Sequence, residues 1–383
     1  MSVVAHSPAP RAPERLRLSG VAKRFGRTIA VYPTDLGVEA GELFVLLGPS
    51  GCGKTTTLRM AAGLETPTEG QVHIDGRDVT RLGAGARDVA CVFQDTALYP
   101  HLNAHENVAF PLKAGGLPAG EAARRAADLL RRLGLEHRSH ARPSALSSGD
   151  RQRLGLARAL VRSPRAFLLD EPLGLLDGAM REAARETVLA IHRESRAATL
   201  LVTHDQDEAM GLADRIAVMK DGRILQIDSP RALYDHPANL FVADFVGSPG
   251  MNILPGARSG DIVHLEGLDL AARVHDGDPS AGPVASVQAS KVWVGVRPEN
   301  VLLSDDGAPC VVEHCEFLGT HNLLTARLGG DLIVRAWMPA GVRFREGQTV
   351  GVTFLPSGCR WFDSADGEAL PWRTLEVTCP ATR

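Results

Sequence analysis

A chain of 383 residues, 44% hydrophobic and 23% charged, can bury a sizeable core and has the length for two domains. Its formal net charge of -3 and pI near 6.5 argue against the basic excess of a nucleic-acid binder, so no nucleic-acid partner is expected. The apolar runs, such as Leu43–Leu47, fall far short of the roughly 20 residues that cross a bilayer.

The N-terminal stretch MSVVAHSPAPRAPERL lacks the apolar centre of a secretory signal. It reads as a disordered tail over residues 1–14, and the chain is expected to stay in the cytosol. From Arg15 to Thr203 short β-rich runs alternate with helical segments, the pattern of an α/β domain around a buried sheet. Strands are expected at 43–47, 90–93, 166–169 and 198–202, each ending at a polar cluster, where parallel sheets place their chemistry. The Ala, Leu and Arg rich text between Gly116 and Ser163 reads as a helical insert, within a helical subdomain set at about 95–163. A helix from Met180 would put Ala184, Val188 and Ile191 on one face, as core. After Asp205 the text predicts a helix and then a hairpin turning at Asp221-Gly222. From Met251 onward, short alternating runs such as KVWVGV and DLIVRAWM predict a separate all-β barrel or sandwich, with the domain boundary at 240/241. Six scattered cysteines without a CxxC pair read as reduced thiols. CVVEHC, over 310–315, reads as a strand whose alternate side chains face opposite ways, which disfavours a metal cluster there.

Gly48-Pro49-Ser50-Gly51-Cys52-Gly53-Lys54-Thr55 matches GxxxxGK[ST], follows an apolar strand and opens a helix from Thr56. Glycines allow successive N–H groups to point at phosphates, Lys54 reaches the β and γ phosphates, and the Thr55 hydroxyl suits Mg²⁺. This predicts a triphosphate grip. Asp170, at the end of FLLD, can hold magnesium through water, and Glu171 beside it can polarise an attacking water as general base. Gln94 and His204 also follow strands. Gln94 could bind Mg²⁺ or the water, and His204 the γ-phosphate, if their strands share an edge with Lys54 and Asp170. Taken singly, an acidic pair at a strand end is often only solvated, and a lone His is more often structural. Ser147 and Asp150 read as the N-cap and N3 of a capping box on a helix ending before Ser163-Pro164.

Taken in order, GPSGCGKTT, VFQDTALYPHL, LSSGDRQR, LLDEP, LLD and VTHDQDEAM resemble the P-loop, Q-loop, signature, Walker B, D-loop and H-loop of ABC-transporter ATPases. The tail, ILQIDSPRALYDHPANLFVADFVGSPGMN and VGVRPENV, resembles the linker and OB-like (TOBE) regulatory domain of ATPases serving carbohydrate importers of the maltose and glycerol-phosphate type. The resemblance covers nearly the whole chain after residue 15. It implies a P-loop ABC ATPase domain over 15–240 with a helical subdomain, then a linker and regulatory domain over 241–383. It also implies ATP and Mg²⁺ as cofactors and ATP hydrolysis that drives import. By the same resemblance the subunit is a homodimer under two transmembrane permease subunits, peripheral at the cytoplasmic face of the inner membrane, with an external binding protein delivering a sugar or sugar-phosphate. Ser147 and Gly149 would then contact the γ-phosphate held by the other copy. Asp177 matches the D-loop aspartate, Phe25 stands where an aromatic ring stacks on adenine, and residues from Tyr99 to Asn107 are the expected permease-docking surface.

Two motifs depart from the family pattern: LSGGQ is LSSGD here, and SNLD is Gly174-Leu175-Leu176-Asp177. Ser148 adds a side chain where glycine lets backbones approach, and Asp150 either brings a carboxylate toward a phosphate or turns back onto its own helix. Slowed dimer closure is the expected consequence. The competing readings are a nearly inactive ATP-binding regulatory subunit and a non-transport ABC ATPase. The latter would ordinarily carry a coiled-coil insertion or a second ATPase domain.

Overall fold

A computed structural model describes residues 13–93, 97–162, 164–174, 176–266, 268, 270–275, 291–329 and 332–379. The chain divides into two compact units, Met1–Pro230 and Arg231–Arg383. The tail expected over 1–14 lies, through residue 12, outside the described residues, and a strand begins at Glu14.

The first unit runs β1 (Glu14–Phe25), β2 (Thr28–Glu39), β3 (Leu43–Leu47), α1 (Lys54–Ala62), β4 (Glu69–Ile74), β5 (Arg77–Asp78), β6 (Val89–Val92), α2 (Ala104–Ala114), α3 (Ala119–Arg132), α4 (Ser148–Leu160), β7 (Ala166–Asp170), α5 (Gly178–Ser195), β8 (Ala198–Thr203), α6 (Gln206–Leu212), β9 (Arg215–Lys220) and β10 (Arg223–Asp228). Its central sheet has the order β10-β9-β3-β8-β7-β6, parallel throughout except that β10 turns back antiparallel on β9. An antiparallel sheet of order β2-β1-β4-β5 accompanies it. Every residue of β3, β7 and β8 is buried, as parallel strands covered on both faces must be, and this is why they read as unbroken apolar runs. Leu58, Met60 and Ala61 of α1 join Phe44, Leu46, Leu168 and Val202 in the core. Because β3, β6, β7 and β8 all run the same way, their C-terminal ends open on a single edge.

The insert holds α2, α3 and α4, and α2 begins before the Ala- and Arg-rich text that announced it. Pro111 inside α2 obscures its periodicity, but the start is well specified: Asn103 accepts from the Glu106 N–H at 2.8 Å and Glu106 reaches back to the Asn103 N–H at 2.9 Å. The expected helix from Met180 is α5, starting at Gly178, with Ala184, Val188 and Ile191 all buried. The β9–β10 hairpin turns on Asp221 and Gly222 with φ of 47° and 77°, the pair of left-handed residues that a two-residue hairpin loop of this hand requires.

The second unit contains α7 (Pro230–Asp235) from its second residue on, α8 (Leu240–Phe245), β11 (Asn252–Ser259), β12 (Ile262–Leu265), β13 (Ala271–His275), β14 (Lys291–Val296), β15 (Val301–Phe317), β16 (His321–Arg327), β17 (Ile333–Pro339), β18 (Thr349–Phe354), β19 (Cys359–Asp363), β20 (Ala369–Leu370) and β21 (Arg373–Thr378). Two antiparallel sheets, of order β20-β19-β14-β11-β12-β13-β21 and β17-β16-β15-β18, enclose one core that includes Val294, Val334, Phe354 and Trp361. Buried Asn252 stitches the sheets together, donating to the carbonyls of Val296 at 3.0 Å and Arg335 at 2.9 Å and accepting from the Arg335 N–H at 2.7 Å. CVVEHC lies within β15, with Cys310 buried and His314 3.6 Å from Glu346.

The compact units divide at 230/231, whereas the sequence places the domain boundary at 240/241; within the second unit, buried Arg297 ties α7 and α8 to the sheets. Its guanidinium donates to the carbonyls of Tyr234 at 3.0 Å, Ala243 at 3.1 Å and Val246, and lies 4.0 Å from the Tyr234 ring centroid. Tyr234 in turn donates to Glu299 at 2.8 Å, so the RPE text at 297–299 is the clasp for the linker helices.

Candidate nucleotide site

The loop from Gly48 to Gly53 joins β3 to α1 at the open edge of the central sheet. Two of its glycines have no substitute. A Cβ on Gly48 would stand 2.2 Å from the Met219 carbonyl oxygen, and Gly53 combines a φ of 107° with a would-be Cβ 2.6 Å from the Ala30 carbonyl oxygen. The helix starts at Lys54, two residues earlier than expected, so Lys54 and Thr55 are presented from its first turn. The loop closes over Lys54: its ammonium is buried and donates to the carbonyls of Gly48 at 2.8 Å and Pro49 at 2.9 Å. Ser50 and Thr55 are exposed, Pro49 and Thr56 half-buried, and Cys52 is buried with its thiol pushed up chiefly by that burial.

β7 delivers Asp170 and Glu171 beside this loop. The Thr55 hydroxyl donates to Asp170 Oδ1 at 3.1 Å. Asp170 is buried, and burial raises its carboxyl above the usual range, with the Glu171 charge adding to the rise and Thr55 and Lys54 opposing it. Glu171 holds a left-handed backbone with φ of 46°, a conformation a carboxylate residue seldom adopts. It is fixed there by its N–H on the Val202 carbonyl at 2.8 Å and by Gln152 Nε2 donating to its own carbonyl at 3.1 Å. The turn aims its side chain at His204, whose Nδ1 is 2.9 Å from Glu171 Oε1.

His204 follows β8, between two anchored neighbours. Thr203 donates to buried Glu208 at 2.5 Å and accepts from the Asp205 N–H at 3.0 Å, while Asp205 caps α6 through the Glu208 N–H at 3.0 Å. Gln94 lies outside the described residues; β6, which leads to it, ends on the same edge.

Ser147 caps α4 as expected, accepting from the Asp150 N–H at 3.1 Å, with Ser147 and Ser148 exposed and Gly149 buried. Of the two orientations open to Asp150, the structure takes the one turned onto its own helix, where the carboxylate pairs with Arg153. Burial pushes that carboxyl up, but the bonds from Ser147 and Arg153 outweigh it and hold it below its ordinary value. Asp177 caps α5 through the Met180 N–H at 3.2 Å. Phe25 ends β1 with its ring half exposed and Lys23 Nζ 4.9 Å from its centroid.

Within the expected docking stretch, Asn107 is wholly buried and cannot meet a partner. It instead holds the loop, donating to the carbonyls of Tyr99, Leu102 and Asn103 and accepting from the Tyr99 N–H at 2.8 Å. Phe110, outside that stretch, is exposed with its ring centroid 4.8 Å from that of Tyr99, and both line a groove of about 700 Å³ with Pro111 and Arg158. Sequence reasoning missed Phe110, Gln152 and Glu208, because nothing in their spacing distinguishes them from ordinary helix residues.

An ABC transporter family model matches residues 31–174, and a TOBE domain model matches residues 294–362. The osmoprotective compounds uptake ATP-binding protein GgtA of Synechocystis is 44% identical over 85% of this chain and 88% of its own. The sn-glycerol-3-phosphate import ATP-binding protein UgpC of Escherichia coli is 40% identical over 92% of this chain and 99% of its own. The trehalose/maltose import ATP-binding protein MalK of Thermococcus litoralis is 40% identical over 93% and 99%. Among solved structures, the ATP-binding cassette MJ0796, captured as a dimer with ADP and Pi, covers 56% of this chain and 99% of its own at a TM-score of 0.53 and 33% identity. Likeness of this extent reaches through the cassette and into the β-rich tail, and the chain belongs to the ABC transporter family, among the ATP-binding subunits of carbohydrate-type importers.

Proposed function

We propose that this chain hydrolyses ATP to drive import of a sugar, sugar-phosphate or related polyol compound through separate permease subunits. The observation that carries the reading is the Glu171–His204 contact of 2.9 Å on the same sheet edge as the Thr55–Asp170 contact of 3.1 Å. A base with its partner histidine thus stands next to a hydroxyl and carboxylate suited to a hard cation.

In this reading the N–H groups of the loop from Gly48 to Gly53 and the first turn at Thr55 and Thr56 cradle the phosphates. Lys54 gives up its loop carbonyls for the β and γ phosphates. Thr55, Asp170 and Gln94 would supply the oxygen ligands that Mg²⁺ prefers, and the Thr55 hydroxyl and Asp170 carboxylate already stand 3.1 Å apart. Bound there, the ion would neutralise charge on the phosphate oxygens. Glu171 orients and deprotonates the attacking water, His204 holds Glu171 and contacts the γ-phosphate, and Phe25 stacks on the adenine. Ser147 and Gly149 of a second copy close over the nucleotide, and Asp177 lines that closure, so the working unit is a homodimer. The MJ0796 dimer with ADP and Pi supports this assembly.

No described helix is long and apolar enough to cross a membrane. In this reading, which rests on the importer names of the relatives, the chain works at the cytoplasmic face beneath two permease subunits that dock in the Tyr99–Phe110 groove, with an external binding protein delivering the solute. The domain assignment follows: an ATPase unit through residue 230 and a linker with an OB-like regulatory unit beyond it. The names of the relatives, which import osmoprotective compounds, sn-glycerol-3-phosphate and trehalose or maltose, support a solute of the sugar, sugar-phosphate or osmoprotectant kind.

The test is Mg²⁺-dependent ATP hydrolysis by the full chain and by Glu171→Gln, followed by both proteins reconstituted with the permease pair and candidate solutes. Loss of at least about 100-fold in the variant, with ATP still bound, is expected for removal of a general base. A parent as inert as the variant, alone and with permease, would leave an ATP-binding regulatory subunit instead.

A further inference from the structure

Arg181 stands in the first turn of α5, its N–H donating to the Asp177 carbonyl at 2.7 Å. Its guanidinium forks. One nitrogen donates to the Leu176 carbonyl at 3.1 Å, immediately before Asp177, and another meets Asp205 Oδ2 at 3.2 Å, immediately after His204. A single side chain therefore joins the segment leading to Asp177 to the segment carrying His204.

His204 is well exposed, so the placement of its ring against Glu171 depends on the backbone on either side of it. Thr203, on one side, is tied to buried Glu208. Asp205, on the other, is tied to Arg181. The local charges make the second tie consequential, since the Asp205 charge raises the Glu208 carboxyl and the Arg181 guanidinium, paired with Asp205, opposes that rise. Without the guanidinium, Asp205 keeps its cap on the Glu208 N–H but loses its charge partner, which loosens the backbone that carries His204. Lysine could neutralise that charge but could not span both acceptors, because only the planar fork presents donors in two fixed directions.

We propose that Arg181 is a positioning residue for ATP hydrolysis: it couples the Leu176-Asp177 segment to the His204 segment, so that a shift in either one resets the His204–Glu171 contact. The inference rests on the hydrolytic reading above. Two measurements on the full chain test it. Arg181→Ala should lower kcat for ATP by at least about tenfold while KM stays within about twofold, and Arg181→Lys should recover only part of the loss. Amide hydrogen exchange, which needs no turnover, should show that Asp205→Asn raises exchange across the bridge at 176–180 as well as at 203–209, with 54–62 unchanged. Asn preserves the α6 cap, so the effect reports the lost charge pair and not an uncapped helix. A kcat for Arg181→Ala within about twofold of the parent, or an exchange response confined to 203–209, would overturn the coupling. If the parent itself fails to hydrolyse ATP, the proposed activity falls while the exchange arm still decides the bridge.

Discussion

The Thr203 hydroxyl donates to Glu208 Oε2 at 2.5 Å, one residue before His204. Burial raises the Glu208 carboxyl from 4.5 to about 7; Asp205 and Glu171 add to the rise, and Thr203 and Arg181 oppose it. Between those values the folded chain holds a proton that the unfolded chain has released. This contribution to stability is full below the unfolded value and is lost as pH rises through the folded one. Glu208→Gln keeps an acceptor for Thr203 and cannot titrate. From about pH 5 to pH 8 the parent should lose up to on the order of 3 kcal/mol relative to this variant. Parallel denaturation midpoints across that range would refute the assignment.

Gly53→Ala should damage the nucleotide grip more than Gly51→Ala. Both glycines have positive φ, but the Cβ at Gly53 meets the Ala30 carbonyl oxygen at 2.6 Å whereas that at Gly51 meets nothing within 4 Å. Strain alone costs about 1 kcal/mol at Gly51, while at Gly53 the backbone must also move, weakening ATP binding by about tenfold or more. Titration with a fluorescent ATP analogue compares the two, and equal affinities would contradict the geometry.

The signature segment separates two effects. Asp150 is already neutralised by Arg153, so Asp150→Gln should leave turnover within about twofold and cost about 1 kcal/mol of stability through the lost pair. Ser148 is exposed at the first turn of α4, where a second copy would approach, and Ser148→Gly should account for nearly all of any gain in turnover by the double variant. ATPase rates of the two single variants and the double variant decide between them; a gain from Asp150→Gln alone would mean its carboxylate does face phosphate.

Arg297→Lys should release α7 and α8. The three carbonyls it now satisfies, those of Tyr234, Ala243 and Val246, cannot all be reached by one ammonium, and about 2 to 4 kcal/mol should be lost. Amide exchange over 231–246 is the direct readout, and unchanged protection there would show that the helices hold without the clasp.

Much of the first unit was legible because its chemistry is local. The P-loop needs a strand, glycines, Lys54 and a hydroxyl in contiguous order, and the structure supplies each where the text puts it. Likewise the hairpin at Asp221-Gly222 follows from two residues that tolerate left-handed backbone. The α2 helix was hidden by Pro111, and the tie between the linker helices and Arg297 was not legible because it spans more than fifty positions.

The strand-end residues and the order of the motifs can be read from the chain alone, since a buried parallel strand must be apolar and must stop at a polar cluster. Which oxygen and nitrogen atoms meet is settled by the packing of distant segments. The left-handed turn at Glu171 brings its carboxylate to His204, Asp150 folds onto Arg153 instead of toward a phosphate, and Arg181 grips two loops at once. Each outcome depends on side-chain direction and on carbonyls contributed by distant strands and helices, and neither is encoded in local periodicity.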